Sequence, residues 1–317
     1  MYACIDLGSN SFHLLIARWH DGRHDIVERF SEKVQLGEGL AETGMITPAA
    51  MERGIACLTT FRHALNRYPI THSWAVGTNA LRSAANSRLF LTRAAQLGFP
   101  IDVVSGHEEA ALVYTGVISA LPESDSTRLI VDIGGGSTEL VVGRAQQRLQ
   151  MHSLSIGCIG WRDLWFRDIP DNGNALNKLL DKANAASVDV FRTVASQLSS
   201  TPCSEIYASS GTAKMLSAVC RQFRPDASSA LVTLDTLMAL KPELVRATLE
   251  PGYALPGLKN SRRDLLLPGW AVLSGFMQAT GVNELEFSPT ALREGMLHYQ
   301  VLSATRGGSP LHELREY

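Results

Sequence analysis

The chain has 317 residues, of which 45% are hydrophobic and 19% charged, with a net charge of −2. That length suits about two globular domains, and that charge gives no general polyelectrolyte attraction, so any polyanion must be held by locally placed Arg, Lys and backbone N–H groups, and no nucleic-acid polymer is expected as a partner. The five cysteines (4, 57, 158, 203 and 220) are odd in number and lack CxxC or Cys/His zinc spacing, so they read as free thiols in a reducing cytoplasm.

In chain order, residues 2–7 and 12–18 alternate as two strands of a hairpin, and a third strand near Asp25–Phe30 follows a turn at Asp21-Gly22. Residues 33–40 read as a strand entering a glycine loop. Thr47-Pro48 opens a helix, with Thr as cap and Pro at the first position; its apolar residues Met51, Ile55, Leu58, Phe61 and Leu65 keep helical spacing to about Tyr68. A strand over Trp74–Val76 leads to a single helix over Asn79–Leu97 stopped by Gly98, then a strand at Ile101–Val104 and a helix from His107 to about Leu121. Strands alternating with helices predict an α/β sheet. The polar stretch Pro122–Thr127 marks a lobe boundary.

The second lobe opens with a strand, a turn and a returning strand at Leu129–Arg144, and a third strand lies near Leu149–Leu154. Helices are predicted from Gly157 to about Arg167 and over Asn174–Leu198. A strand at Ile206–Ala208 leads into a helix capped by Ser209-Ser210-Gly211-Thr212. Two short helices over 233–250, a loop and buried helix over Arg262–Gly281, a strand at Leu285–Phe287 and a closing helix over Leu292–Leu302 complete the chain. Leu265–Asn283 is charge-free over a length that could cross a bilayer. Pro268, Gly269, Gly275, Gln278, Thr280 and Gly281 within it favour a buried helix, so no membrane is expected. The first strand begins almost at Met1, so no secretory signal is expected either.

The stretch LIVDIGGGSTELVVGR (129–144) has a near copy at CIDLGSNSFHLLIAR (4–18). A shift of 126 (132 minus 6) aligns Asp6 with Asp132, Gly8 with Gly134, Ser11 with Ser137 and Arg18 with Arg144. One glycine turn is a weak signal, but two in the same register indicate internal duplication and two lobes. Such turns bring backbone N–H groups close to a ligand and can form an anion site. Two of them facing each other across a cleft would clamp a phosphate ester or anhydride.

DLGSNS (6–11), GTNALR (77–82), SGHEEA (105–110), DIGGGSTE (132–139), SSGT (209–212), RRDLLLPG (262–269) and ALREG (291–295) run in order over nearly the whole chain. In these motifs the sequence resembles the exopolyphosphatase / guanosine pentaphosphate phosphohydrolase (Ppx/GppA) phosphatase family. The resemblance implies an α/β protein with two ribonuclease-H-like lobes of the acetate kinase, sugar kinase, Hsp70 and actin superfamily around a central cleft. The lobes are expected at 1–124 and 125–303, with a closing helix at 291–303 returning to the first lobe and a tail at 304–317. Many members carry further C-terminal helical domains of HD type; this sequence stops after the closing helix and is expected to be a short form, which puts in question the extended polyphosphate channel and the dimer those domains help build.

Hydrolysis of a phosphoanhydride needs charge neutralisation on the phosphoryl oxygens, a positioned water and a base. The turn residues Gly134, Gly135 and Gly136 supply backbone donors, and Ser9, Asn10, Ser11 and Ser137 add side-chain donors. Glu108 and Glu109 open a helix, where acids are common for the dipole alone; the resemblance makes Glu109 the catalytic base, with Glu108 as the fallback. Asp132 and Glu139 flank the turn and suit Mg²⁺, while Asp132 is also a residue that orders a turn; the resemblance assigns both to metal and catalysis, with Asp6 a weaker candidate. Arg82 and Arg262 would be surface residues on pattern alone, and the motif matches make them phosphate ligands. Ser210, Gly211 and Thr212 start a helix and read as a phosphate or nucleotide contact. Cys158 reads as packing and His107 as incidental.

The expected activity is Mg²⁺-dependent release of terminal orthophosphate from inorganic polyphosphate, guanosine pentaphosphate, or both, with a link to the stringent response; a homodimer is one assembly the sequence leaves open. The rivals are an ATP-dependent small-molecule kinase of the same superfamily and a non-catalytic sensor of polyphosphate or guanosine polyphosphates. An actin- or Hsp70-like assembly ATPase is disfavoured because the long insertions for filament or client contacts are missing.

Overall fold

The computed structural model describes residues 1–20, 23–224 and 231–316; the predicted turn at Asp21-Gly22 lies outside them. The chain divides into two compact units, Met1–Pro122 together with Thr290–Tyr317, and Glu123–Pro289.

The first unit contains β1 (Tyr2–Leu7), β2 (Ser11–His20), β3 (Arg23–Lys33), α1 (Leu40–Thr43), α2 (Pro48–Leu65), β4 (His72–Gly77), α3 (Asn79–Ser83), α4 (Ser87–Gln96), β5 (Ile101–Val103) and α5 (Gly106–Ile118). Its five-stranded sheet has the order β3-β2-β1-β4-β5. The β1–β2 and β2–β3 pairs are antiparallel, and β4 lies parallel to both β1 and β5. The two-residue period of β1 divides its side chains between two faces. Ala3, Ile5 and Leu7 join a core with Phe12, Phe61 and Phe90, under α2 and α4. On the other face Cys4 Sγ lies 3.0 Å from Gln300 Nε2 of the closing helix.

The second unit contains β6 (Thr127–Ile133), β7 (Thr138–Arg144), β8 (Gln147–Leu154), α6 (Cys158–Trp165), α7 (Gly173–Ser199), β9 (Glu205–Ser209), α8 (Ser210–Phe223), β10 (Val232–Thr233), α9 (Leu234–Ala239), α10 (Lys241–Leu249), α11 (Leu266–Thr280) and β11 (Glu284–Phe287). A 3₁₀ turn over Asn260–Leu265 precedes α11. The sheet order is β10-β11-β9-β6-β7-β8. The charge-free α11 is buried against α7, with Phe276 edge-on to Phe191 and Trp270 Nε1 donating to the Leu237 carbonyl at 2.6 Å. Among the described residues no helix is long and apolar enough to cross a membrane.

The duplication seen in the hairpins extends to whole sheets. The order β8-β7-β6-β9-β11 repeats β3-β2-β1-β4-β5, with antiparallel and parallel pairs at the same places. Even the irregularity recurs: the β2–β3 register breaks between Ile16 and Ala17, and the β7–β8 register between Val142 and Gly143, positions related by the same shift of 126 (142 minus 16).

Three readings of the sequence need correction, and one element was not expected. Residues 34–39 form turns rather than a strand. Val34 and Leu36 are buried as the alternation implied, but Gln35 takes a φ of 53° and its N–H bonds the Asn10 carbonyl. The helix over Asn79–Leu97 is two helices, because Asn86 turns its side-chain amide onto both backbone groups of Ile46 and the Ala85 N–H bonds the Gly44 carbonyl. The two-residue strand β10 has no sequence signal of its own. The stretch 304–317 is not a bare tail, since α12 (Leu292–Arg306) runs into it and α13 (Pro310–Glu316) follows.

Helix α12 belongs to the first unit, where it crosses α5 at glycine-to-backbone distance. A Cβ on Gly116 would fall 1.7 Å from the Ala291 carbonyl oxygen, and one on Gly295 would fall 1.9 Å from that of Leu112. No rotamer relieves a clash between Cβ and backbone, so Gly295→Ala must push the helices apart. An overpacking loss of about 1–3 kcal/mol is expected, read as a lower Tm. Gly160→Ala, whose Cβ would meet nothing within 4 Å, is expected to leave Tm unchanged or raise it slightly.

Candidate active site

In the first unit the predicted groups lie at the C-terminal ends of the parallel strands β1, β4 and β5. The turn after β1 is closed by the Gly8 N–H bonding the Ser11 carbonyl at 3.2 Å. The Ser9 and Asn10 carbonyls accept from the N–H groups of Gly37 and Gln35 at 2.9 and 2.8 Å. In a trans peptide the N–H points opposite to the C=O, so the N–H groups of Asn10 and Ser11 face away from that supporting loop. Asn10 Nδ2 donates to Ser11 Oγ at 3.2 Å. Ser9 Oγ and Asn10 Oδ1 are buried without a hydrogen-bond partner. An orphaned buried polar atom is costly, and two in one turn mark a place built for a polar ligand.

The neighbours Glu108 and Glu109 have separate roles. Ser105 caps α5, and Glu108 completes a capping box by accepting from the Ser105 N–H at 2.6 Å. Its other oxygen accepts from Arg315 Nε of α13 at 2.6 Å. Burial alone would raise the Glu108 pKa, but hydrogen bonds from Arg315 and Ser105 outweigh it and hold the carboxyl below its ordinary value. Glu109 is buried, 8% exposed, and accepts from Arg82 Nη1 at 3.1 Å. The same Nη1 donates to the Val104 carbonyl at 2.7 Å, so Arg82, carried on the short helix α3 after β4, is tied to the predicted base. His107 is exposed.

In the second unit the site gathers where β6 and β9 end. The Gly134 N–H bonds the Ser137 carbonyl at 2.9 Å, the same closure as in the first turn. The Gly134 and Gly135 carbonyls accept from Cys158 and Ile159 N–H at 3.0 and 2.7 Å. These contacts satisfy the open N–H groups at the start of α6, and they aim the N–H groups of Gly135 and Gly136 the opposite way. Gly157 makes the approach possible, since its Cβ would lie 2.5 Å from both Gly135 C and Gly136 N.

Asp132 and Glu139 are register partners across the β6–β7 ladder, so both project from one face of the sheet. Asp132 accepts from Ser209 Oγ at 2.5 Å, and Glu139, 1% exposed, accepts from Ser153 Oγ at 2.9 Å. Among the described residues no cluster of three or more His, Cys, Asp or Glu side chains could hold a metal ion. Two adjacent carboxylates nevertheless fit Mg²⁺, which keeps several waters and takes further oxygens from phosphate. At the start of α8, Ser210 Oγ accepts from the Thr212 and Ala213 N–H groups at 3.1 and 3.3 Å. A Cβ on Gly211 would fall 2.7 Å from both terminal nitrogens of Arg262, so the two-nitrogen end of that guanidinium lies against the glycine. Thr212 Oγ1 is turned inward to Cys158 Sγ at 3.0 Å. The thiol, pushed up to about 11 by burial, is a packing group rather than a nucleophile.

Ser209, Ser153 and Gly157 were not singled out as site residues from the sequence. Ser209 stood inside a recognised motif, but a strand-end serine next to a helix start reads as a cap, and only the β6–β9 register reveals its carboxylate partner. Ser153 carried no signal at all.

The repeated five-strand order, with a donor turn after the first strand of each sheet, defines the class: two ribonuclease-H-like units of the acetate kinase, sugar kinase, Hsp70 and actin superfamily. The sequence pattern of the Ppx/GppA phosphatase family matches residues 15–304, and the chain belongs to that family. A Haemophilus influenzae protein named "Putative exopolyphosphatase" is 33% identical over 301 residues, 93% of this chain and 90% of that protein. The crystal structure of an exopolyphosphatase from Cytophaga hutchinsonii aligns with a TM-score of 0.83 at 25% identity, over 98% of this chain and 99% of that one. An Aquifex aeolicus Ppx/GppA family member shares the fold, with a TM-score of 0.74 at 24% identity over 96% and 98% of the two chains.

The division of labour between the two glutamates has a thermodynamic signature. Because the folded Glu108 pKa is depressed, its stabilisation is present at neutral pH and is lost as pH falls through the folded value. Glu108→Ala should lower stability at pH 7 by about 1 kcal/mol, the usual size of a lost cap. Its deficit against the parent should shrink below about pH 4, as the parent's carboxylate protonates. Urea denaturation at a series of pH values measures both; a pH-independent deficit would remove the charged role assigned to Glu108.

Proposed function

We propose that this phosphatase removes terminal orthophosphate from inorganic polyphosphate, with guanosine pentaphosphate as the second substrate that the same groups would serve. The observation that carries the reading is the buried Glu109 paired with Arg82 at the end of the first unit's parallel strands, while its neighbour Glu108 is committed to capping. The name of the 33%-identical Haemophilus influenzae relative supports the polyphosphate substrate.

In this mechanism the outward N–H groups of the two turns and the hydroxyls of Ser9, Ser11 and Ser137 bind phosphoryl oxygens, so charge developing there meets fixed donors. Among the described residues the partners of Arg82 are met through Nη1, and its other nitrogens would bind a phosphate oxygen. Arg262, Ser210, Gly211 and Thr212 form a further phosphate or nucleotide contact. Glu109 takes a proton from the attacking water: an O–H bond breaks, an oxygen–phosphorus bond forms, and the bridging P–O bond breaks to release the shortened chain. Its ion pair with Arg82 holds the carboxylate beside the guanidinium proposed to bind phosphate. Mg²⁺, when bound by Asp132 and Glu139, supplies charge neutralisation to the phosphate oxygens.

Phosphate release from long polyphosphate and from guanosine pentaphosphate, measured side by side with Mg²⁺ and with chelator, tests the reading. Release without any acceptor substrate is expected, and only with the metal; turnover that required an acceptor would instead indicate a kinase, and binding without turnover a sensor. Glu109→Gln should cut kcat by about 10²–10⁴-fold, the usual size of general-base assistance, with substrate binding retained. Near-normal kcat in Glu109→Gln alongside an inactive Glu108→Gln would move the base to Glu108.

A further inference from the structure

We infer that Ser209 is a positioning residue for Asp132, holding that carboxylate in the orientation from which it receives the metal; this rests on the proposed role of Asp132. The two residues are register partners on the parallel strands β6 and β9. Ser209 is fully buried, and its hydroxyl donates to Asp132 Oδ2.

The local structure is unusual in a way this contact explains. Ser209 stands at the N-cap of α8, where serine ordinarily turns its oxygen onto the helix N–H groups. It makes no such bond. The next residue, Ser210, takes over that task and accepts from Thr212 and Ala213 N–H, in a backbone conformation with φ of 93°. A serine in that region is strained. The natural cap therefore faces the acid, and its neighbour adopts an unfavourable backbone to satisfy the helix.

The internal duplication supplies a comparison within the same chain. The counterpart of Asp132 is Asp6, whose register partner on β4 is Val76. The first unit thus builds the same strand end with an apolar residue in the register place that Ser209 holds in the second. The fold does not need a serine at this place; the acid proposed to hold the metal is the one that has it. A hydroxyl that donates to a carboxylate oxygen fixes the carboxylate plane, the arrangement that outer partners of metal ligands provide.

The test measures metal binding directly, with Mn²⁺ as the probe and inorganic phosphate present, by electron paramagnetic resonance. Ser209→Ala is expected to fold, as Val76 shows that the strand end accepts an apolar residue, and to weaken Mn²⁺ binding by about 10-fold or more. Asp132→Asn should weaken it at least as much, and adding Ser209→Ala to Asp132→Asn should cause no further loss, because the serine acts only through the aspartate. Mn²⁺ binding at parent strength in Ser209→Ala, with Asp132→Asn weakened, would overturn the positioning role while leaving Asp132 as a ligand. Parent-strength binding in Asp132→Asn would overturn the metal role of Asp132 and the inference with it. Additive losses in the double variant would also overturn it, by showing that Ser209 acts elsewhere.

Discussion

The triple-glycine turn after β6 depends on one exchange of hydrogen bonds. The Gly134 and Gly135 carbonyls bond the N–H groups at the start of α6, and the planar trans peptide then aims the N–H groups of Gly135 and Gly136 the other way. A helix start and an anion-binding turn usually compete for the same feature, a set of unsatisfied backbone donors. Here the helix is satisfied by the turn, and the turn keeps its donors for a ligand. The arrangement demands contact between backbones, which is why Gly157 is closely packed on Gly135 and Gly136. The first turn reaches the same outcome with different support, since its carbonyls are held by the loop of Gln35 and Gly37.

The two units share topology down to the position of a β-bulge, and they differ in chemistry. Where the second unit has Asp132 opposite Glu139, the first has Asp6 opposite His13. The second unit thus sets two carboxylates side by side, the oxygen donors that the proposed hard cation would take. The first instead carries a buried Glu109 paired with a half-buried Arg82. Duplication of a strand end that presents donors, followed by separate specialisation, accounts for both the likeness and the difference.

Adjacent residues with identical side chains received unlike roles because a helix start has more than one environment. Glu108 is at the third helical position, where a carboxylate reaches back to the cap. Glu109, one residue on, is rotated about 100° around the axis and enters the interior beside Arg82. The closing part of the chain secures α5 at two places, by the glycine crossing with α12 at Leu112 and Gly116 and by the Arg315–Glu108 ion pair at the helix start. An exposed pair of that kind contributes little by itself, so the crossing carries most of the attachment.

Much of this protein was legible in the amino-acid sequence. Strand alternation, the Thr47-Pro48 helix start, the glycine turns and the repeat at a shift of 126 are local patterns, set by side-chain period and backbone freedom within a few residues, and the family motifs singled out Glu109, Asp132, Glu139 and Arg82 as candidates. Local patterns fail where distant segments compete for the same backbone groups. Asn86 breaks a helix because Ile46 lies beside it, and residues 34–39 abandon a strand because Ser9 and Asn10 use their donors. The pairing of Ser209 with Asp132 and of Arg82 with Glu109 likewise depends on strand register and helix placement. Hydrogen bonds between residues 77 and 27 positions apart in sequence leave no periodic trace, so only the tertiary structure decided which polar side chains meet.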